Sequence, residues 1–190
     1  LFQPALPADD FADPVRDLLA VSPLFQGDVN GTGPAVRGDD PVEEERIFKK
    51  GLPQLRHGLL ACGHLGQQRG DLQVALAVAP SLDPRLFDGD LAGLPIARVA
   101  GHTHAILSAA SAGIIASGTA TVEAALMDLP MVVVYRVSPL TYALGRPFVR
   151  VPHYAMANLL AGRQVVKELI QADFRPEAVT AEVLNLLEDR

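Results

Sequence analysis

From residue 72 onward the chain alternates between short apolar runs and segments of helical length, and few folds accommodate that alternation. LQVALAVAP is one apolar run, closed by Pro80; LPIARVA, SAGIIA and PMVVVYRV follow it. Runs of this length, bounded by turn residues, read as strands buried on both faces. Between them, SLDPRLFDGDLAG (with Ser81 as its candidate N-cap), HTHAILSAA and TATVEAALMD read as helices. Four strands alternating with three helices predict an α/β fold, a Rossmann-like parallel sheet flanked by helices. The end of the chain, SPLTYALGRPFV, NLLAGRQVVKELIQ and PEAVTAEVLNLLED, reads as mostly helical. In the last stretch Val179, Val183, Leu184 and Leu187 recur at helical spacing and predict a buried face.

Residues 1–70 have a different texture. Pro4, Pro7, Pro14, Pro23, Pro34 and Pro41, the stretch GDVNGTG and the acidic cluster DDPVEEER predict an irregular segment, with short helices at VRDLLA and EEERIFKKGL. The expected organisation is this segment followed by a regular domain over 71–190. A length of 190 residues, 49% of them hydrophobic and 20% charged, suits one globular domain with a proper core. The formal net charge of -6 argues against a nucleic-acid partner. Cys62 is the only cysteine and cannot form an internal disulfide, which points to a reducing compartment. The start, LFQPALPADDFADP, lacks a basic segment followed by an apolar one. A cytoplasmic protein is the expectation, with a membrane-surface role left open.

Between the third strand and its helix lies ASGTATVE. In an open parallel sheet, ligands bind outside the carboxyl ends of the strands, where the following helices present their N-termini. A turn of Ser117, Gly118 and Thr119 brings backbone close to a ligand there, and free N–H groups with two hydroxyls suit a diphosphate. Glu123, one turn along, could accept hydrogen bonds from neighbouring ribose hydroxyls. The alternative is that Ser117 caps the helix and Glu123 complements its dipole. The octapeptide alone leaves both open.

The longer text is more specific. ASGTATVEAALMDLPMVVVYRVSPLTYALGR, followed by ANLLAGRQVVKELIQADFRPEAV and preceded by DLQVALAVAPSLDP, resembles the C-terminal half of lipid-A-disaccharide synthase, a family of GT-B glycosyltransferases. The match runs from about Asp71 to the end. The resemblance implies that 71–190 is the nucleotide-sugar-binding domain. The implied reaction transfers a diacylglucosamine from UDP to a diacylglucosamine 1-phosphate, giving the lipid A disaccharide and UDP, with inversion and without a metal or other cofactor. The implied partners are the UDP-diacylglucosamine donor, the lipid acceptor and the cytoplasmic face of the inner membrane.

Carried over position by position, Ser117, Gly118 and Thr119 would contact the diphosphate and Glu123 the ribose. Asn158 would lie near the donor sugar or phosphate, with Arg163 supporting that helix start. Arg136, after Tyr135 at a strand end, could offset the charge of departing UDP, or else hold the following segment as a structural ion pair. His102 to His104 could line the base pocket, or cap a helix in solvent. The family's catalytic base belongs to an N-terminal acceptor half that this sequence does not resemble, so no catalytic residue is assigned. No Gly-Ser-Arg turn, which the family places at the start of its donor half, occurs in residues 23–73. Activity would then need a partner chain supplying the missing half, with a homodimer left open as a further partnership; a noncatalytic remnant is the alternative.

Other motifs carry less. His57, Cys62 and His64 lack the paired spacing and fourth ligand of a zinc site. Asp28, Asn30, Thr32, Gly33 and Asp39 match calcium-loop positions, but the closing Glu and flanking helices are missing. Ser117 lacks both glycines of a nucleophile elbow. SPLTYALGRPFVRVPHYAM mixes apolar residues with Arg146 and Arg150, which suits core packing or an anionic membrane surface.

Overall fold

The computed structural model describes residues 17–22, 57–78, 84–136, 142 and 152–189. Its centre is a six-stranded sheet in the order β3-β2-β1-β4-β5-β6. The strands are β1 (Asp17–Ser22), β2 (Leu72–Val78), β3 (Ile96–Ala100), β4 (Ala112–Ala116), β5 (Met131–Tyr135) and β6 (Lys167–Ile170). Every neighbouring pair is parallel. The helices are α1 (residues 57–68), α2 (Asp88–Leu91, preceded by a 3-10 turn Pro84–Phe87), α3 (Thr103–Ala109), α4 (Ala120–Leu126), α5 (Met156–Ala161) and α6 (Pro176–Glu188).

A parallel sheet must be covered on both faces, and the strand side chains divide accordingly with a period of two. Leu19, Val74, Leu76, Val78, Ile114 and Val132 point to one face, where they meet Leu59, Cys62 and Leu65 of α1 and Val179, Val183 and Leu187 of α6. Leu18, Ala20, Ala75, Ala77, Ile115 and Val133 point to the other, against Ile106 and Leu107 of α3 and Ala120 and Ala124 of α4. On β2 the buried residues of the second face are the alanines Ala75 and Ala77, so α3 can lie close to the sheet.

The strands expected at β2 to β5 are all present, as are the helices expected at α3, α4 and α6. Two elements differ from expectation. VRDLLA, expected as a helix, contributes Asp17–Ala20 to β1, which pairs with both β2 and β4 at the middle of the sheet. Leu and Ala favour helices, but the run is too short to hold one, and burial between two neighbours decides for a strand. NLLAGRQVVKELIQ, also expected as a helix, is broken: α5 ends at Gly162, whose φ of 64° closes the helix in the left-handed region. The chain then turns and adds β6 to the sheet beside β5. The glycine-punctuated CGHLGQQRG is helical as far as Gln68 despite Gly63 and Gly66. Ser81, EEERIFKKGL, the calcium-loop positions and, apart from Tyr142, SPLTYALGRPFV lie outside the described residues.

At the amino-terminal edge of the sheet, Arg69 bridges Asp71 and Asp17, tying the start of β2 to the start of β1. These carboxylates, Asp71 foremost, hold the guanidinium above its ordinary pKa. On α1, burial pushes the Cys62 thiol up to about 12. It is therefore an apolar core group at neutral pH rather than a nucleophile.

Two substitutions and a labelling experiment test this packing. A Cβ on Gly113 of β4 would come within 3.1 Å of both Ile115 and Leu129, so Gly113→Val should cost about 1–3 kcal/mol through overpacking. Gly66 on α1 has open space around its missing Cβ, so Gly66→Ala should gain roughly 0.5–1 kcal/mol. Urea midpoints of the two variants against the parent should move in opposite directions. Iodoacetamide should label Cys62 at least about a hundredfold more slowly in the native chain than in urea; comparable rates would contradict its burial.

Candidate functional site

The strand order reverses between β1 and β4, which makes the crevice outside their carboxyl ends the ligand-binding position of such a sheet. The turn Ser117–Gly118–Thr119 leaves β4 at that crevice. Gly118 has a φ of 152°, a backbone state that is cheap only for glycine. Its carbonyl accepts the Thr121 hydroxyl at 2.7 Å and the Thr121 N–H at 3.2 Å. The Ser117 N–H donates to the Val134 carbonyl at 3.0 Å, sewing the turn to the end of β5. Among the described residues, the N–H groups of Gly118, Thr119 and Ala120 have no backbone acceptor. Thr119 is exposed and its hydroxyl makes no cap bond to α4.

The Ser117 hydroxyl does not cap α4 either. It donates across the crevice to the carbonyl of Tyr154, at 2.7 Å. The Tyr154 ring in turn stacks on Tyr135 at the end of β5, with centroids 6.2 Å apart. Glu123, on the first turn of α4, faces His104 on the first turn of α3: His104 Nε2 and Glu123 Oε2 are 3.2 Å apart. Both side chains keep substantial exposure, 71% for the histidine and 42% for the glutamate, so a ligand can reach either. His102 is exposed just before α3 and makes no side-chain cap bond.

Asn158 is completely buried in α5. Its Nδ2 donates to the Val166 carbonyl at 2.9 Å and to Glu168 Oε1 at 2.7 Å. Its Oδ1 accepts the N–H groups of Val165 and Val166 at 2.7 and 2.9 Å. Both amide hydrogens and both lone pairs are thus engaged within the protein. Arg163, in the turn that Asn158 fastens, is exposed to solvent. Arg136 follows β5. Its Nε and Nη2 donate to the Gln171 carbonyl at 3.2 and 2.9 Å, and its Nη1 lies 2.7 Å from His57 Nε2. A guanidinium can only donate, so that histidine nitrogen is the acceptor. The guanidinium also lies 5.8 Å from the centre of the Phe174 ring. These contacts stitch β5 to α1 and to the turn before α6. Gln171 itself has a φ of 53°, a left-handed state that the paired donors of Arg136 help to hold.

Ser117, Gly118, Thr119 and Glu123 therefore share one edge with His104, whereas Asn158 is built into a knot beside them and Arg136 into the opposite helix layer. Two participants, Thr121 and Glu168, were not singled out from the sequence, and Tyr154 was read only as part of a mixed apolar and basic stretch. Thr121 had a local signal, since a Thr three residues after a glycine carbonyl can bond back to it. Tyr154 and Glu168 had none, because their roles arise where α5 meets β6. Among the described residues, no helix is long and apolar enough to cross a membrane.

The profile of the family described as lipid-A-disaccharide synthetase matches residues 90–190, more than half of the chain. A lipid-A-disaccharide synthase of Anaeromyxobacter sp. (strain K) is 42% identical over 158 residues, covering 82% of this chain and 39% of that protein. One from Acidobacterium capsulatum is 49% identical over 120 residues, covering 63% of this chain and 29% of that protein. The chain thus spans about two fifths or less of these relatives' length. Among solved structures, E. coli ADP-heptose LPS heptosyltransferase II superposes with a TM-score of 0.57 at 18% identity, covering 96% of this chain and 50% of that one. That likeness supports the Rossmann-like fold. With the turn, the sheet order and the sequence matches in agreement, the chain belongs to the lipid-A-disaccharide synthase family of glycosyltransferases.

Proposed function

We propose that this chain is the donor-binding part of a lipid-A-disaccharide synthase and holds the UDP of a UDP-diacylglucosamine at the carboxyl edge of β4. The observation that carries this reading is the position of the Ser117–Gly118–Thr119 turn, at the strand where the sheet order reverses. In this reading the N–H groups of Gly118 and Thr119, with the Thr119 hydroxyl, donate to the diphosphate. Glu123 accepts from the ribose hydroxyls, and His104 lies at the same rim toward the base. Ser117 acts through its bond to Tyr154, which keeps the turn open. Asn158 acts by fixing the loop that carries Arg163, and Arg136 by fixing the end of β5.

The reaction proposed for the complete enzyme is transfer of diacylglucosamine to a diacylglucosamine 1-phosphate, with release of UDP. The acceptor site and the catalytic base are assigned to the part of the relatives that this chain does not span. A lipid-facing surface is supported by the exposed side chains of Met156, Leu159, Leu160 and Val165, with the exposed Arg163 in the same stretch of chain.

Titration calorimetry of the chain with UDP tests the donor site. We expect saturable binding that Glu123→Ala weakens by about tenfold or more, the value of a charge-assisted hydrogen bond. Gly118→Val, which forces a β-branched residue to a φ of 152°, should abolish binding. A folded chain that gives neither heat nor thermal stabilisation at about 1 mM UDP, a concentration at which even a weak site is half filled, would refute the reading.

A further inference from the structure

Glu168 lies on the edge strand β6, yet its side chain is only 11% exposed. It has no Lys or Arg partner within the described contacts; its negative charge is met by N–H groups instead. Oε2 accepts the Tyr154 N–H at 3.0 Å, and Oε1 accepts the Ala155 N–H at 3.1 Å and Asn158 Nδ2 at 2.7 Å. His153 Nδ1 stands 3.8 Å from Oε1. Hydrogen bonds to an ionised acceptor are roughly twice as strong as neutral ones, so this carboxylate is a firm clamp on the entry to α5.

The peptide unit joining Tyr154 to Ala155 has two sides. Its N–H, on Ala155, points at Glu168, and its carbonyl, on Tyr154, accepts the Ser117 hydroxyl. The peptide plane is rigid and trans, so its N–H and C=O point in opposite directions. Fixing one fixes the other. A negative charge on the N–H side also polarises the unit and makes the carbonyl a better acceptor. The Ser117 hydroxyl thereby reports, through one peptide unit, on a carboxylate in a different strand.

We propose that Glu168 is a positioning residue for the nucleotide-binding turn, acting through the Tyr154–Ala155 peptide on Ser117. The inference rests on the reading that this turn binds the diphosphate. It explains why an acidic residue is largely covered beside a site meant for an anion: the N–H groups absorb its charge, and what reaches the turn is a carbonyl dipole.

Two measurements on the 190-residue chain decide it. The first is amide hydrogen exchange without nucleotide. Glu168→Gln, which keeps the shape but removes the charge and one acceptor oxygen, should speed exchange of the Ser117 N–H by about tenfold while leaving α6 protected. The second is a double-mutant cycle on UDP affinity. Glu168→Gln and Ser117→Ala should each weaken UDP binding by about tenfold, and the double variant should lose no more than either alone. A purely structural role for Glu168 would lower the melting temperature but give losses that multiply in the double variant, and that outcome overturns the proposal. Should Glu168→Gln not fold, Ser117→Ala cuts the same link from the other end; unchanged exchange and affinity there would equally overturn it. A parent chain that binds no UDP would instead refute the donor-site reading, while the exchange result still decides whether Glu168 and Ser117 are coupled.

Discussion

Parallel pairing is the constraint from which the rest of this structure follows. Two parallel strands cannot be joined by a tight turn, so a crossover must carry the chain back along the sheet before the next strand begins. Each crossover helix covers a face, and here the two faces are filled by different side chains of the same strands. All six carboxyl ends lie on one edge, with the helix starts beside them. The candidate site occupies that edge because nowhere else do loops, helix N-termini and strand ends meet. The opposite edge carries the Arg69 bridge to Asp17 and Asp71, a fastening rather than a pocket.

The site divides its polar groups by task. Gly118, Thr119, Glu123 and His104 lie at the carboxyl edge and are the groups proposed to meet the ligand. Ser117, Thr121, Asn158 and Glu168 spend their hydrogen bonds on one another and on backbone, fixing the shape that the first group presents. The carboxylate of Glu168, largely covered, is met by two peptide N–H groups and the Asn158 amide, with His153 Nδ1 at 3.8 Å. Arg136 serves the other helix layer, where two of its nitrogens hold one carbonyl in a strained turn.

Much of this was legible in the sequence. The strands β2 to β5 were readable because each is a run of apolar residues closed by a turn, α3 and α4 because they fill segments of helical length between those runs, and α6 because its apolar residues recur with a helical period. The turn at Ser117–Thr119 was readable because its signals are adjacent in the chain. What escaped notice depends on distant partners. DLLAVS has the propensities of a helix and becomes a strand only because β2 and β4 bury it from both sides. KELI buries a single leucine, Leu169, and so lacks the signature of an inner strand. The knot of Asn158 and Glu168 joins residues ten apart across a helix end and a turn, and no local pattern announces it.

The placement of β1 has one more consequence. Along the chain it comes before every other described element, yet in the sheet it is the sole link between β2 with β3 on one side and β4 with β5 and β6 on the other. Neither half can register against the other until these six residues are in place. A chain shortened past Ser22 would not yield a smaller version of the same domain. It would expose two raw strand edges, those of β2 and β4, with unpaired backbone aligned for association with other copies. The earliest described strand is thus also the one that covers the facing edges of β2 and β4.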